Sequence, residues 1–159
     1  MELAVNENLR LTSSWGLCTE AQVSSFEVDL AFDLPQAYRA FLLEQNGGIA
    51  EPPCKFSFAR EGSQQIEALE RFYGIATQTW TDLEVAFHSF HRVERRMPDY
   101  LLPIAKTEFG DQICLLLNNK TFGWIVFWDH EKEVDFSDPQ AAREPLRNCS
   151  LLAKSFQDF

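Results

Sequence analysis

One helix is written almost completely into residues 34–48, and the rest of the chain has to pack around it. Pro35 suits a first helical turn, where its missing N–H would have had no partner. Leu34, Tyr38, Phe41, Leu42 and Gln45 then fall on one face, with Gln45 closing an otherwise apolar stripe. Asn46, Gly47 and Gly48 stop the helix, because glycine enters the left-handed cap conformation without steric cost.

The elements on either side follow from local signals. Residues 1–18 form an N-terminal extension with a weak alternation of Leu3, Val5, Leu9 and Leu11, and Trp15 requires a surface to pack on. Thr19 and Gln22 have the spacing of a capping box, and Val23, Phe26 and Leu30 give the following helix an apolar side as far as residue 32. After Gly48, Pro52 and Pro53 mark a loop, and residues 54–58 alternate as a half-buried strand. Residues 66–73 fit either period, and Gly74 closes the run early enough to favour a strand. Thr81 to Glu84 forms a second capping box, opening a helix over 82–93 with Leu83, Phe87 and Phe90 buried. Strands follow at 103–105, with Pro103 at the tolerated first position, at 112–117, apolar enough for burial on both faces, and at 124–128. Residues 134–148 are irregular, and Ser150 caps a last short helix with Leu152 and Phe156 on one side.

The run from Leu34 to Gly48 resembles the signature helix of the SUKH superfamily, which contains the fungal Smi/Knr cell-wall regulators and many bacterial immunity proteins. A second, collinear stretch resembles the other half of that domain: Leu102 to Ala105, then Gly110 to Leu115, then Gly123 to Glu131 with Trp128, Asp129 and His130 at its end. The residues that carry the resemblance are Leu34, Pro35, Tyr38, Phe41, Leu42, Asn46, Gly47, Gly48, Gly110, Trp128, Asp129 and His130, and their role is expected to be mainly structural. Glu27 stands where the superfamily often has a Glu ahead of its Leu-Pro step. The resemblance implies one α+β domain over residues 1–159, with an extension at 1–18 and a core at 19–158. It implies a mostly antiparallel sheet of five to six strands, one of them at 66–73, with helices on one face and rim.

Charge narrows the partner. The chain carries 14 basic and 24 acidic residues, a net charge of −10, which disfavours a nucleic-acid ligand and suits a basic protein. Acids concentrate in residues 1–33 and 106–136. The resemblance implies an immunity protein without catalytic, metal or cofactor site, which neutralises a toxin, a nuclease or nucleic-acid deaminase. Glu108, Asp111, Asp129, Glu131, Glu133 and Asp135 are its candidate exposed contacts. The alternatives are a cell-wall-regulator-like scaffold for endogenous proteins and a small-ligand binder with an aromatic pocket near Trp124 and Trp128. His88 and His91 are spaced for one metal but bring no further ligand, and His130 between two acids reads first as a strand-ending residue and second as an acid–base group. Cys18, Cys54, Cys114 and Cys149 are far apart, and the chain opens with neither a basic nor an apolar leader. Free thiols and a cytoplasmic location are therefore expected, with no membrane span.

Overall fold

The computed structural model describes residues 9–159 apart from residue 79, so Leu3 and Val5 lie outside the described residues. Seven antiparallel strands run in chain order: β1 (Leu11–Thr12), β2 (Gly48–Arg60), β3 (Ser63–Phe72), β4 (Leu101–Thr107), β5 (Gln112–Leu116), β6 (Ile125–Trp128) and β7 (Cys149–Ala153). Helices α1 (Glu20–Leu30), α2 (Gln36–Glu44) and α3 (Leu83–His88) all contribute to one core layer on one face of that sheet. The expected α+β class holds, with helices on one face.

The first helix forms as its capping box predicts. Thr19 Oγ1 accepts the Gln22 N–H and the Gln22 side chain accepts the Thr19 N–H. Val23, Phe26 and Leu30 point inward. They meet Tyr38 and Leu42 from α2 and Leu83 and Phe87 from α3 over Leu102, Ile104, Ile113, Leu115, Ile125 and Phe127 of the sheet. A second, smaller layer lies on the opposite face: Leu101, Cys114, Leu116, Val126 and Trp128, covered by Phe90, Met97 and Leu146. Strands β4 to β6 are therefore buried on both sides, as the near-continuous apolar run of β5 requires. The sheet also curls, since Phe58 of β2 packs on Phe127 of β6 with ring centroids 4.6 Å apart although three strands separate them.

Several expectations are corrected. Residues 149–153 are strand β7, where a helix is expected from Ser150. Trp128↔Cys149 and Phe127↔Ser150 pair it to β6, whose edge would otherwise stand open against the core. Pro52 and Pro53 do not end β2. The ladder drops out between Ile49 and Cys54, where proline has no N–H to give, and then resumes. Pro103 stands inside β4 rather than at its start, and a bulge between Pro103 and Ala105 accommodates it. Asp82, not Thr81, caps α3, accepting the N–H groups of Glu84 and Val85. The helix leaves α geometry after His88 and continues as a π turn over Ser89–Val93.

Candidate functional site

Two loops meet at one end of the sheet because β5 pairs with β6 in the register Gln112↔Trp128. That register sets the β4–β5 turn (108–110) beside the exit of β6 (129–131). Asp111 fastens the two. Its Oδ1 accepts the His130 backbone N–H at 3.0 Å and lies 2.7 Å from His130 Nδ1. Gly110 makes the turn possible, with φ +98, which side-chain-bearing residues rarely adopt.

Asp129 is held from four directions. Arg60, at the far end of β2, forms an ion pair with it, and its Oδ1 accepts the Glu131 N–H at 2.7 Å. Its backbone N–H donates to the Asn148 carbonyl, and Asn148 Nδ2 donates to its carbonyl at 2.9 Å. Burial by itself would raise the pKa of Asp129, but the bonds from Arg60 and from the Glu131 N–H outweigh it and hold the carboxyl below its ordinary value. Glu67, on β3, moves the opposite way: burial first, then the charges of Asp111 and Asp129, push its pKa up.

This geometry corrects the list of exposed acids. Asp111 and Asp129 are both 6% exposed, because each carboxylate is consumed by the loop junction. Glu133 is half-buried. It takes Arg96 Nε at 2.9 Å, while the Arg96 guanidinium lies over the rings of Phe90 and Trp128. Glu108, Glu131 and Asp135 are exposed. Phe109, between Glu108 and Gly110, is 71% exposed, so an apolar ring stands at the tip of an acidic turn.

Asp111, Asp129 and His130 bring possible metal-ligating atoms within 4.8 Å of one another. A cation there would have to displace the Arg60 guanidinium and break the Asp111–His130 bond, so the donor set fits an internal network better than a metal. His88 and His91 do not converge. The ring nitrogens of His91 lie 2.8 Å from the Phe87 carbonyl and 2.7 Å from that of Leu101. Burial lowers the His91 pKa against the pull of those carbonyls.

The signature helix is likewise built inward. The Leu34 N–H donates to Glu27 Oε1 at 2.9 Å, which gives Glu27 its place ahead of the Leu-Pro step. Tyr38 and Leu42 are fully buried, Leu34 nearly so, and Phe41 packs on Phe72 and Phe156. Asn46 is 1% exposed and clamps two segments. Its Nδ2 donates to the carbonyls of Gly16 and Ile75 at 2.9 Å each, and its Oδ1 accepts the Ile75 N–H at 2.7 Å. A Cβ on Gly47 would stand 2.6 Å from the Tyr73 carbonyl oxygen, so only glycine fits.

Among the described residues Trp124 and Trp128 do not line the apolar cavity that the fold forms. Trp128 is buried, and Trp124 is half-buried beneath Lys154. An apolar cavity is found instead under α2, among Phe41, Phe56, Phe72, Phe156 and Phe159. All four cysteines are free thiols. Among the described residues no helix is long and apolar enough to cross a membrane.

Sequence reasoning missed Arg60 and Asn148, which lie far along the chain from Asp129, and no local pattern marks either.

The model of the SMI1 / KNR4 family (SUKH-1) matches residues 17–159. The chain is also similar to the SPbeta prophage-derived uncharacterized protein YokK of Bacillus subtilis (strain 168), 28% identical over 156 residues, which covers 89% of this chain and 72% of that protein. No solved structure matches.

Proposed function

The chain belongs to the SMI1 / KNR4 family (SUKH-1), and from that premise we propose that it is a non-enzymatic immunity protein that binds and neutralises a basic toxin domain, of nuclease or nucleic-acid deaminase type, in the cytoplasm. The observation that carries this reading is the acidic loop junction: exposed Glu108 and Phe109 stand on one loop and exposed Glu131 on another, the two loops are fastened by Asp111 and His130, and the chain has a net charge of −10. A nuclease or deaminase presents a cationic groove to its substrate. An acidic surface with an aromatic anchor matches such a groove in charge and supplies the buried contact that a tight interface needs. The prophage origin of the similar protein agrees with a gene carried among competing elements.

The interface in this proposal comprises Glu108, Phe109, Glu131 and, further along the same exit, Asp135. Asp111 and Asp129 set the positions of the two loops. The test is capture of partners from the native host at low salt with this protein as bait. Recovery of one basic protein whose activity this chain abolishes supports the proposal. A Glu108→Lys, Glu131→Lys double variant should then associate at least tenfold more slowly and with a shallower salt dependence. Unchanged association would move the interface away from this junction. Recovery of endogenous regulators alone would favour the scaffold reading over immunity.

A further inference from the structure

His91 is 7% exposed, and its ring nitrogens meet backbone carbonyls on both sides. Nδ1 lies 2.8 Å from the Phe87 carbonyl oxygen, and Nε2 lies 2.7 Å from that of Leu101 and 3.1 Å from that of Pro98. A carbonyl oxygen accepts and never donates, so each side needs an N–H. Neutral imidazole carries one N–H, and in either tautomer a ring lone pair would face an oxygen at hydrogen-bond distance. Imidazolium donates on both sides. We propose that His91 is a proton-operated staple: doubly protonated, it ties the π turn to the start of β4, and loss of one proton to solvent releases one of the two ties.

The surroundings suit a charge that comes and goes. Burial opposes the second proton and sets its loss below the ordinary histidine value, while the three carbonyls and then Asp99, on the loop before β4, favour it. Phe87 packs on the imidazole with ring centroids 4.5 Å apart. The charged groups of the turn itself are engaged elsewhere: His88 with Glu84 at 3.8 Å, Arg92 with the Asp29 carbonyl of α1 at 3.4 Å and with the Phe87 ring, and Glu94 with Arg96 at 2.7 Å. The two-sided geometry is thus that of the acid form, and near neutrality the ring keeps one N–H for three oxygens.

The staple brackets residues 94–97, since its anchors are Phe87 on one side and Pro98 and Leu101 on the other. Within that bracket Arg95 stands at φ +52, a conformation that arginine rarely adopts and that persists where the chain around it is held. Arg96, next to it, donates Nε to Glu133 at 2.9 Å, and its guanidinium lies over Phe90 and Trp128. Glu133 leads to Asp135 of the interface proposed above. Release of the tie therefore loosens Arg96 and, through Glu133, makes the presentation of Asp135 proton-dependent. That last step rests on the proposed interface, and the staple itself does not.

Nitrogen-resolved NMR of the full chain, from about pH 8 to about pH 5, reads the ring directly. In acid both ring nitrogens of His91 should give the imidazolium signal, each with a slowly exchanging proton, and toward neutrality one of those protons should disappear. Over the same rise in pH the exchange protection factors of the Glu94 and Arg96 amides, which donate to Ser89 and Phe90, should fall by about threefold or more, while that of Cys114 in β5 stays level. His91→Gln sets amide donors at this position without a titration, so its protection factors at Glu94 and Arg96 should not change with pH. A ring that keeps the same single N–H throughout, level protection at Glu94 and Arg96 in wild type, or an equal pH dependence in His91→Gln would each overturn the staple. The wild-type ring signals decide the matter even where the variant fails to fold. None of these readings involves a partner, so failure of the proposed interface leaves them untouched.

Discussion

Replacing Asn46 by Ala removes the clamp between the end of α2 and the residues around Gly16 and Ile75. Three side-chain hydrogen bonds to backbone are lost. At about 1 kcal/mol each, their loss costs about 3 kcal/mol. Asn46 also has φ +55, where alanine is about 1 kcal/mol worse than a residue suited to the left-handed region. The total is about 4 kcal/mol, or about 8–16 °C in Tm for a chain of this size. Asn46→Gly loses the same bonds but not the backbone fit, so it should cost about 3 kcal/mol and be the more stable of the two. Asn46→Asp keeps the acceptor for the Ile75 N–H but sets a carboxylate against two carbonyl oxygens. The mismatch raises the folded pKa of the new acid, so this variant should gain stability relative to wild type as pH falls through that value. Urea denaturation followed by circular dichroism and by tryptophan fluorescence gives all three differences, and coincident transitions license the comparison. An Asn46→Ala variant within about 1 kcal/mol of wild type would refute the clamp, since three buried bonds cannot vanish at so small a cost.

The remaining predictions concern the loop junction and the thiols. Arg60→Gln leaves the buried Asp129 carboxylate without its ion pair beside Asp111 and Glu67, which should cost about 3 kcal/mol near neutral pH. Because Arg60 helps hold the Asp129 pKa down, the stability it supplies is present above the unfolded carboxylate value of about 4 and is lost as pH falls through the depressed folded value. Urea titrations at both ends of that range should show the wild-type advantage shrinking in acid, and a gap constant with pH would sink the assignment. Phe109→Ala should leave Tm within about 1 °C, because the ring is exposed, while weakening capture of the partner. A large Tm loss would mean that the ring is structural. Burial pushes the thiol of Cys149 up to about 12 and that of Cys114 well above its ordinary value. Cys54 should therefore react first with a thiol reagent in the native state, and early modification of Cys114 would show that β5 opens.

What was legible in the sequence was local. The cap at Thr19, the stripe through Tyr38 and Leu42, and the stop at Gly47 lie within a few residues of what they control, and each is found where it is expected. Strands β5 and β6 were legible from composition, since only burial on both faces tolerates such apolar runs. Strand β7 was not. Leu152 and Phe156 suit a helical face as well as a strand, and the deciding fact is the edge of β6, which is remote in sequence. Strand β1 was equally opaque, because it is two residues long and exists only through its pairing of Leu11 with Ala50 and Thr12 with Ile49. At the junction, the types of Asp111 and Asp129 were read as surface acids because carboxylates usually are. Their burial depends on Arg60, Asn148 and the His130 backbone, none of which is near enough in sequence to be seen.

That distribution bears on how one fold serves different partners. Asn46, Gly47, Asp111, Trp128 and Asp129 are buried and hold backbone or core in place. A buried, internally bonded residue offers no surface to a partner, so recognition has to be carried by side chains that these residues leave free. The structure puts such side chains immediately beside the fixed ones: Glu108 and Phe109 precede Gly110 and Asp111, and Glu131 follows Asp129 and His130. Loop tips held by a rigid internal network can change sequence at little cost in stability, because their backbone is positioned from beneath. On the proposed reading, a new partner is met by substitution at residues 108, 109, 131 and 135, while the residues that carry the family resemblance stay fixed. Family membership then identifies the scaffold, and the chemistry of the exposed loop tips identifies what it binds.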